Sequence, residues 1–369
     1  MSQVAPKKIP YVRLGTSGLK VSRIILGCMS YGSPKWQAWV LDEEESLKHI
    51  KAAYDLGIQT FDTANTYSNG YSEIVLGKAI KKYNLPRDEI VVMTKLWFGV
   101  GRTVEENVWA GDLDTIGLVN QHGLSRKHIF ESVKHSLERL GLDYIDQLMT
   151  IVFPEGHRFD NDTPVAETMQ ALNDVVKAGY VRYIGMSSCH AWQFHVMQSK
   201  PLPHGQLCRL VLTVRADYAI NNNLTPFISM QNHYNLLYRE EEREMVPSLK
   251  YFGVGSIPWS PLARGNLTRP FGEETVRTGS DDWARGYGAP GTKAIVDRVE
   301  EIAKKKGVSM AQVSLAWILN KDVVSAPIIG TTSLEKLHDL VGALDVKLSE
   351  EEVKYLEEPY APRSVFGHW

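Results

Sequence analysis

The chain has 369 residues, of which 43% are hydrophobic and 23% charged, and its 41 Lys and Arg residues against 43 Asp and Glu residues leave a formal net charge of −2. This near-neutral balance, without a long block of Lys or Arg, argues against a nucleic-acid partner and against binding to an anionic membrane. No stretch approaches the roughly 18 consecutive apolar residues that a transmembrane helix needs, so we expect no membrane-spanning segment.

Short β-branched runs alternate with amphipathic segments along the chain, which is typical of βαβ units around a parallel sheet. The predicted strands cover residues 23–27, 58–62, 90–94, 144–152, 181–186, 226–231, 254–259 and 325–330. The predicted helices include residues 43–56, 127–140, 165–178, 239–252 and 333–344. Eight strand-then-helix units predict an α/β fold, a (β/α)8 TIM-type barrel in one domain over residues 1–369, with a doubly wound α/β sheet as the alternative.

Three connections are longer than such a barrel needs, at about residues 97–124, 200–220 and 264–292. Long connections in a compact domain are usually functional or disordered. The first and third follow strands, so they would lie over the C-terminal face of the barrel, where its active sites occur. The second follows a helix and would lie at the opposite rim.

Several familiar site motifs are absent from the sequence. The Gly99-Val100-Gly101 stretch does not open a helix after a tight turn, and Thr292 stands where a P-loop needs its lysine. The chain has no HExxH, no zinc-spaced Cys and His pair, and no GxSxG elbow, so it predicts neither a metal site nor a serine hydrolase. Its cysteines, Cys28, Cys189 and Cys208, are too scattered for a disulfide framework, which favours a reducing, cytoplasmic location.

Polar side chains stand at the ends of consecutive predicted strands: Asp62, then Tyr67 just beyond it, and Lys95. A nearby buried ammonium favours a phenolate, so Lys95 would lower the pKa of Tyr67 toward the working range, with Asp62 as the counter-ion of Lys95. Tyr67 would then act as a general acid toward an alkoxide formed on a carbonyl. Each residue alone has a commoner structural role, as a capping Asp, a solvent-facing Lys and a core Tyr, and only their joint occurrence favours proton transfer.

The sequence resembles the aldo-keto reductase family through FDTANTYSNGYSEIVLGKAI, VVMTK, YIGMSS, IPWSPLARGNLTRP and PIIGTTSLEKLHDL. Within the family it is similar to fungal members related to aryl-alcohol dehydrogenases and versiconal-type reductases of secondary metabolism. The resemblance implies a barrel that binds NADP(H) without a Rossmann fingerprint. It also implies NADPH-dependent reduction of a small-molecule aldehyde or ketone, aromatic or from secondary metabolism, to the alcohol.

The resemblance also implies roles for individual residues. Tyr67 would be the proton donor, Lys95 and Asp62 its tuning pair, and a His at the end of the fourth strand would orient the carbonyl. The implied cofactor-binding residues are Met29, Ser187, Ser188, Gln231, Trp259, Ser260, Leu262, Arg264, Gly330, Ser333 and Lys336.

Within this set, Ser187, Ser188 and Gln231 would hold the nicotinamide carboxamide, and Trp259 would stack on the ring. Three others, Ser260, Leu262 and Arg264, would flank the pyrophosphate. The adenosine 2′-phosphate would be held by Gly330, Ser333 and Lys336. The structural alternatives are a core aromatic for Trp259 and a surface salt bridge for Arg264. A hydrophobic substrate pocket would come from Trp97, Phe98 and Trp283.

The chain departs from the family pattern before its HRFD segment. About six extra residues, near 151–156, separate the fourth strand from His157, and Ile151 takes the ordinary His position. Either the insertion loops out and His157 reaches the site, or the strand runs on and His157 is displaced. The β-branched run from Thr150 to Phe153 favours displacement.

A second insertion covers about residues 200–218. Both insertions have two readings: translated intron sequence in a mis-spliced gene product, or genuine loop extensions, which barrels tolerate because loop-closure entropy grows slowly with length. The alternative functions are therefore an NADPH-binding regulatory subunit and a catalytically impaired, splice-altered reductase. The sequence predicts no oligomeric state.

Overall fold

The computed structural model describes residues 9–109, 111–150, 160, 162–198, 219–273 and 286–365. Within these ranges the strands are β1 (Tyr11–Arg13), β2 (Lys20–Ser22), β3 (Ile25–Gly27), β4 (Thr60–Asp62), β5 (Val91–Leu96), β6 (Ile145–Thr150), β7 (Val181–Ser187), β8 (Phe227–Gln231), β9 (Gly255–Ser256) and β10 (Ile328–Ile329). The α-helices are α1 (Glu43–Asp55), α2 (Tyr71–Lys82), α3 (Arg126–Leu140), α4 (Val165–Lys177), α5 (Ala191–Gln198), α6 (Met245–Phe252), α7 (Thr292–Lys306), α8 (Met310–Leu319), α9 (Leu334–Val341) and α10 (Glu350–Glu357). None of the helices in the described part is long and apolar enough to cross a membrane.

Eight parallel strands form one sheet in the order β10-β3-β4-β5-β6-β7-β8-β9. The two ends of this sheet meet through backbone hydrogen bonds: Ser256 N–H donates to Val323 O (3.1 Å), Ser325 N–H to Ser256 O (2.8 Å) and Ile328 N–H to Pro258 O (2.9 Å). A doubly wound sheet has two open edges, whereas this sheet closes on itself. The predicted (β/α)8 barrel is confirmed and the doubly wound alternative is wrong.

A hairpin of β1 and β2, absent from the sequence prediction, precedes the barrel strands. Its Leu14 and Val21 side chains are fully buried in one apolar cluster with Ile25, Met93 and Ile257. Thr16 N–H donates to the carbonyl of Gly253, just before β9 begins, so the hairpin covers the amino-terminal end of the barrel. The predicted site residues at the strand ends lie at the opposite end of the barrel.

The observed helices follow their predicted ranges closely where a capping residue sets the start. Ser125 caps α3 by accepting from His128 N–H, and Gly141 ends the helix in a left-handed conformation with φ of 63°. The predicted helix over 239–252 instead divides into a 3₁₀ turn at Glu240–Glu242 and α6. Pro247 explains the late start of α6, because proline is tolerated only in the first turn of a helix.

Both insertions lie outside the described residues, as do Ile151, His157 and Trp283. The two flanks of the first insertion are described. Thr150 pairs with Leu96 and Met186 in the sheet, and Asp160 accepts a hydrogen bond from Leu124 N–H (2.6 Å). Whether residues 1–369 form one domain stays a prediction.

Candidate active site

The carboxyl ends of the barrel strands bring the predicted polar residues together. Asp62 ends β4, Lys95 lies one residue before the end of β5, and Ser187 and Gln231 end β7 and β8. Parallel strands end at the same face of a barrel, so these side chains converge although up to 169 residues separate hydrogen-bonded partners such as Asp62 and Gln231.

A buried ion pair lies at the centre of this face. Lys95 and Asp62 are 1% and 2% exposed, and Lys95 Nζ lies 2.5 Å from Asp62 Oδ2. The same ammonium donates to the carbonyl of Thr63 (2.7 Å) and lies 3.4 Å from the hydroxyl of Tyr67. Gln231 Nε2 donates to the second carboxylate oxygen of Asp62 (3.1 Å). The three predicted residues thus form one connected chain from Asp62 through Lys95 to Tyr67.

The pKa of Tyr67 in this three-residue site differs from the sequence prediction. Burial raises the pKa of Tyr67, and the positive charge of Lys95 opposes that rise without reversing it. Burial alone would lower the pKa of Lys95, but the charges of Asp62 and Tyr67 outweigh it, so the pKa stands above its ordinary value. Tyr67 therefore holds its proton through neutral pH, beside a charged ammonium.

A strained turn carries Tyr67. Ser68 and Asn69, which follow it, have left-handed φ values of 50° and 48°, a conformation that costs free energy for residues other than glycine. The Asn69 side chain offsets this cost by binding the backbone of the long loop over 97–124: its Oδ1 accepts from Gly101 N–H (3.0 Å), and its Nδ2 donates to Glu106 O (2.8 Å). The loop that the sequence placed over this face therefore holds the Tyr67 turn in place.

A cavity of about 850 Å³ opens beside the ion pair. Most predicted site residues line it, namely Met29, Asp62, Tyr67, Ser187, Ser188, Gln231, Trp259, Ser260, Leu262, Arg264, Gly330 and Lys336. Lys95 lies behind Asp62 and Tyr67 rather than on the wall. Ser333 is also off the wall, where it caps α9 by accepting from Lys336 N–H (3.3 Å).

Side chains predicted to hold the carboxamide are joined to one another. Ser187 Oγ donates to the carbonyl of Gln231 (2.8 Å), and Trp259 Nε1 donates to Ser188 Oγ (3.2 Å). Because Gln231 also donates to Asp62, the part of the wall that contains these serines is continuous with the buried ion pair.

Sequence reasoning missed Arg269, which also lines the cavity. Its Nη1 atom is buried and has no hydrogen-bond partner among the described residues. The signal available in the sequence is the spacing of Arg269 five residues after Arg264 within one loop that follows a barrel strand. Together with Lys336, these arginines place three cationic side chains on the wall, which also carries the carboxylates of Glu273 and Asp339.

The aromatic groups near Tyr67 also differ from those predicted. Trp36 packs against Tyr67 with ring centroids 6.4 Å apart and against Trp109 at 4.9 Å, and Trp109 Nε1 donates to Thr66 Oγ1 (2.8 Å). Trp97 and Phe98, which the sequence assigned to the substrate pocket, pack against each other at 4.8 Å and are not on the cavity wall.

Among the described residues, no group of three or more His, Cys, Asp or Glu side chains has a geometry that would hold a metal ion. Two of the three cysteines, Cys28 and Cys189, are buried. The cytoplasmic location that the cysteine pattern favours stays a prediction.

The barrel agrees with the comparisons with known proteins. The model of the Aldo/keto reductase family matches residues 23–361, and the chain belongs to that family. It is an NAD(P)-dependent oxidoreductase.

Individual relatives are fungal. The chain is 48% identical over 362 residues to versiconal hemiacetal acetate reductase of Aspergillus parasiticus, covering 96% of this chain and 98% of the relative. It is 49% identical over 381 residues to a putative aryl-alcohol dehydrogenase of Schizosaccharomyces pombe, covering 100% and 99%. A putative aryl-alcohol dehydrogenase of Saccharomyces cerevisiae is 44% identical over 362 residues, covering 96% and 98%.

Proposed function

We propose that this protein reduces an aromatic aldehyde or ketone to the alcohol with NADPH, and that Tyr67 donates the proton. One observation carries the proposal: Tyr67 and Asp62 line the large cavity, and behind them the Lys95 ammonium, paired with Asp62, lies 3.4 Å from the Tyr67 hydroxyl. A proton donor next to a fixed positive charge is what an oxyanion forming on a carbonyl requires.

The cavity wall fits a phosphorylated dinucleotide. Arg264, Arg269 and Lys336 are cations on the wall, and the buried Nη1 of Arg269, without a partner among the described residues, suits an anionic oxygen. These three side chains would hold the phosphates, with Lys336 at the capped start of α9 assigned to the 2′-phosphate. Ser188 and Gln231 would orient the nicotinamide, and Trp259 would cover its ring.

The reaction divides between the cofactor and this chain's own side chains. When bound, NADPH supplies the hydride that adds to the carbonyl carbon. Tyr67 transfers its proton to the carbonyl oxygen, and the Lys95 ammonium at 3.4 Å stabilises the phenolate that remains. Asp62 keeps Lys95 charged and, through its 2.5 Å contact, fixes the position of the ammonium.

The proposed substrate class rests on the aromatic side chains near the Tyr67 ring. Trp36 is partly exposed and packs against Tyr67, and Trp39, whose ring centroid lies 6.2 Å from that of Trp36, lines the cavity. Indole faces bind planar rings favourably, so a carbonyl attached to an aromatic ring fits this location. The names of the relatives from the two yeasts, which refer to aryl alcohols, support the same class.

The direct test is the oxidation of NADPH by purified protein in the presence of nitrobenzaldehyde, with the alcohol product identified by chromatography. We expect turnover with a one-to-one ratio of NADPH consumed to alcohol formed. NADPH binding without turnover would instead favour a regulatory or catalytically impaired protein, and the absence of both would contradict the assignment of the cavity.

A further inference from the structure

A stack of three aromatic side chains supports the cavity wall from behind. The ring of Trp259 lies on the imidazole of His233, with centroids 4.2 Å apart and planes inclined by 10°. The other face of His233 lies on Tyr238 at 4.3 Å and 13°. His233 and Tyr238 are 1% and 2% exposed. Only Trp259 of this group, which we call the Trp259 stack, reaches the cavity.

Hydrogen bonds at the edge of His233 fix the rotation of its ring. Asn235 Nδ2 lies 3.2 Å from His233 Nε2, and because Asn235 Oδ1 accepts from Leu237 N–H, the orientation of this amide is set and its nitrogen faces the ring. The hydroxyl of Tyr287 lies 2.6 Å from the same Nε2. The amide nitrogen can only donate, so Nε2 is the acceptor in this contact.

The same residues hold a strained turn that lines the cavity. Ser260, Ala263 and Arg264 have left-handed φ values of 51°, 48° and 53°, and each such residue costs free energy that the surroundings must offset. Asn235 Nδ2 donates to the carbonyl of Ser260 (2.9 Å). Since the backbone of Trp259 is also hydrogen-bonded to Asn232 O (2.9 Å), both the ring and the turn are fixed from the segment after β8.

We propose that His233 is a positioning residue, which acts through Trp259 and the following turn to set the affinity for the nicotinamide cofactor. The inference rests on the proposed function, because that proposal assigns Trp259 to the nicotinamide. Imidazole suits this position because it offers two flat faces and a polar edge at once. Leucine lacks the faces, asparagine lacks the ring, and phenylalanine lacks the edge.

Three variants separate these properties. His233→Leu removes both stacking faces, His233→Phe keeps the faces and loses the edge, and Tyr287→Phe removes one edge hydrogen bond with little change of shape. The control is Phe194→Leu. Phe194 is fully buried and stacks on Phe227 at 6.1 Å, but it lies in α5, off the cavity wall. It reports the effect of losing a core ring without altering the Trp259 stack.

The readouts are the NADPH dissociation constant, energy transfer from tryptophan to bound NADPH, and the KM for nitrobenzaldehyde at saturating NADPH. We expect His233→Leu to raise the dissociation constant at least about fivefold, as loss of a stacked pair implies. Energy transfer should fall, while the aldehyde KM stays within about twofold. His233→Phe should restore only part of the affinity, leaving the dissociation constant about threefold above wild type because the polar edge is lost. Phe194→Leu should lower only the melting temperature.

Wild-type affinity and energy transfer in His233→Leu, with a melting temperature lowered as in Phe194→Leu, would overturn the proposal and leave His233 as core packing. If His233→Leu does not fold, Tyr287→Phe decides the question: we expect a rise of about twofold or more in the NADPH dissociation constant, and no change would contradict the inference. Failure of the wild-type protein to bind NADPH is a separate outcome, and it would refute the proposed function itself.

Discussion

The charged side chains on two walls of the same cavity differ in the partners that they contact. The proton-transfer wall is formed by Asp62 and Tyr67, with Lys95 behind them. Here both oxygens of the Asp62 carboxylate have partners, and the Lys95 ammonium has three contacts. On the cationic wall (Arg264, Arg269, Lys336), the buried Arg269 Nη1 lacks a hydrogen-bond partner, and Lys336 forms no ion pair, in both cases among the described residues. A carboxylate and an ammonium in direct contact tune a proton, whereas a buried guanidinium nitrogen without a hydrogen-bond partner in the described part of the chain suits an anionic ligand.

Tyr67→Phe should give the largest effect, because it removes the proton donor from the first wall and leaves the second unchanged. We expect kcat/KM for nitrobenzaldehyde to fall at least about a thousandfold, within the range of a lost general acid. The NADPH dissociation constant should stay within about threefold of wild type. Steady-state kinetics and a binding titration measure the two quantities, and retained turnover would show that another group donates the proton.

Lys95→Met should cost nearly as much activity, about a hundredfold or more in kcat, and it should also destabilise the fold. Removing one partner of a buried pair leaves the Asp62 carboxylate without its cation, which costs about 3–5 kcal/mol. Since the Lys95 charge opposes the rise in the pKa of Tyr67, its loss should move the alkaline limb of the kcat/KM profile to higher pH.

The control for this change is the double variant Lys95→Met/Asp62→Asn, which also removes the Asp62 carboxylate that Lys95→Met leaves without its cation. It should recover part of the free energy of unfolding in urea without recovering activity. An unchanged alkaline limb of the kcat/KM profile and a wild-type kcat in Lys95→Met would show that Lys95 takes no part in proton transfer.

Lys336→Glu acts on the cationic wall. It places a like charge beside the 2′-phosphate, so we expect NADPH binding to weaken about thirtyfold, as loss of a charge-assisted contact implies. NADH binding should change only about twofold. Added salt should reduce the difference between the effects of the substitution on NADPH and NADH binding. Lys304→Glu, an exposed change on α7, is the matched control. Equal losses for both cofactors would place the 2′-phosphate elsewhere.

Deletion of Ile151 to Gly156 tests whether the first insertion displaces His157 from the proton-transfer wall. The sequence favours displacement, so we expect the deletion to raise kcat with nitrobenzaldehyde about tenfold. His157→Ala should then slow the shortened protein and leave the full-length protein unchanged. Equal rates before and after deletion, with a harmful His157→Ala in the full-length chain, would show that the insertion already delivers the His.

Sequence reasoning predicted the barrel well because each strand is a short buried run bounded by turn residues, and strand ends alone indicated Asp62 and Lys95. It missed the hairpin of β1 and β2, whose strands have three residues each and no distinctive pattern. It also expected a lowered pKa for Tyr67, since the spacing of residues shows the nearby charge but not the depth of burial that opposes it.

The sequence also did not predict which aromatic side chains lie near Tyr67. Trp97 was assigned to the pocket because it lies on the long loop over 97–124, yet its ring packs against Phe98 and is not on the cavity wall. Trp36 comes instead from the loop between β3 and α1, which carried no strand-end signal. The Trp259 stack likewise depends on contacts between β8 and β9 segments that only the tertiary fold reveals.

The separation of the two walls is tested most directly by NADPH titrations of four proteins: wild type, Tyr67→Phe, Lys336→Glu and the double variant. We predict that Tyr67→Phe changes the dissociation constant by less than about threefold in either background, while Lys336→Glu raises it about thirtyfold in both, as for independent sites. A coupling of tenfold or more between the two substitutions would contradict the account, because Tyr67 would then be part of the cofactor-binding contacts rather than of proton transfer alone.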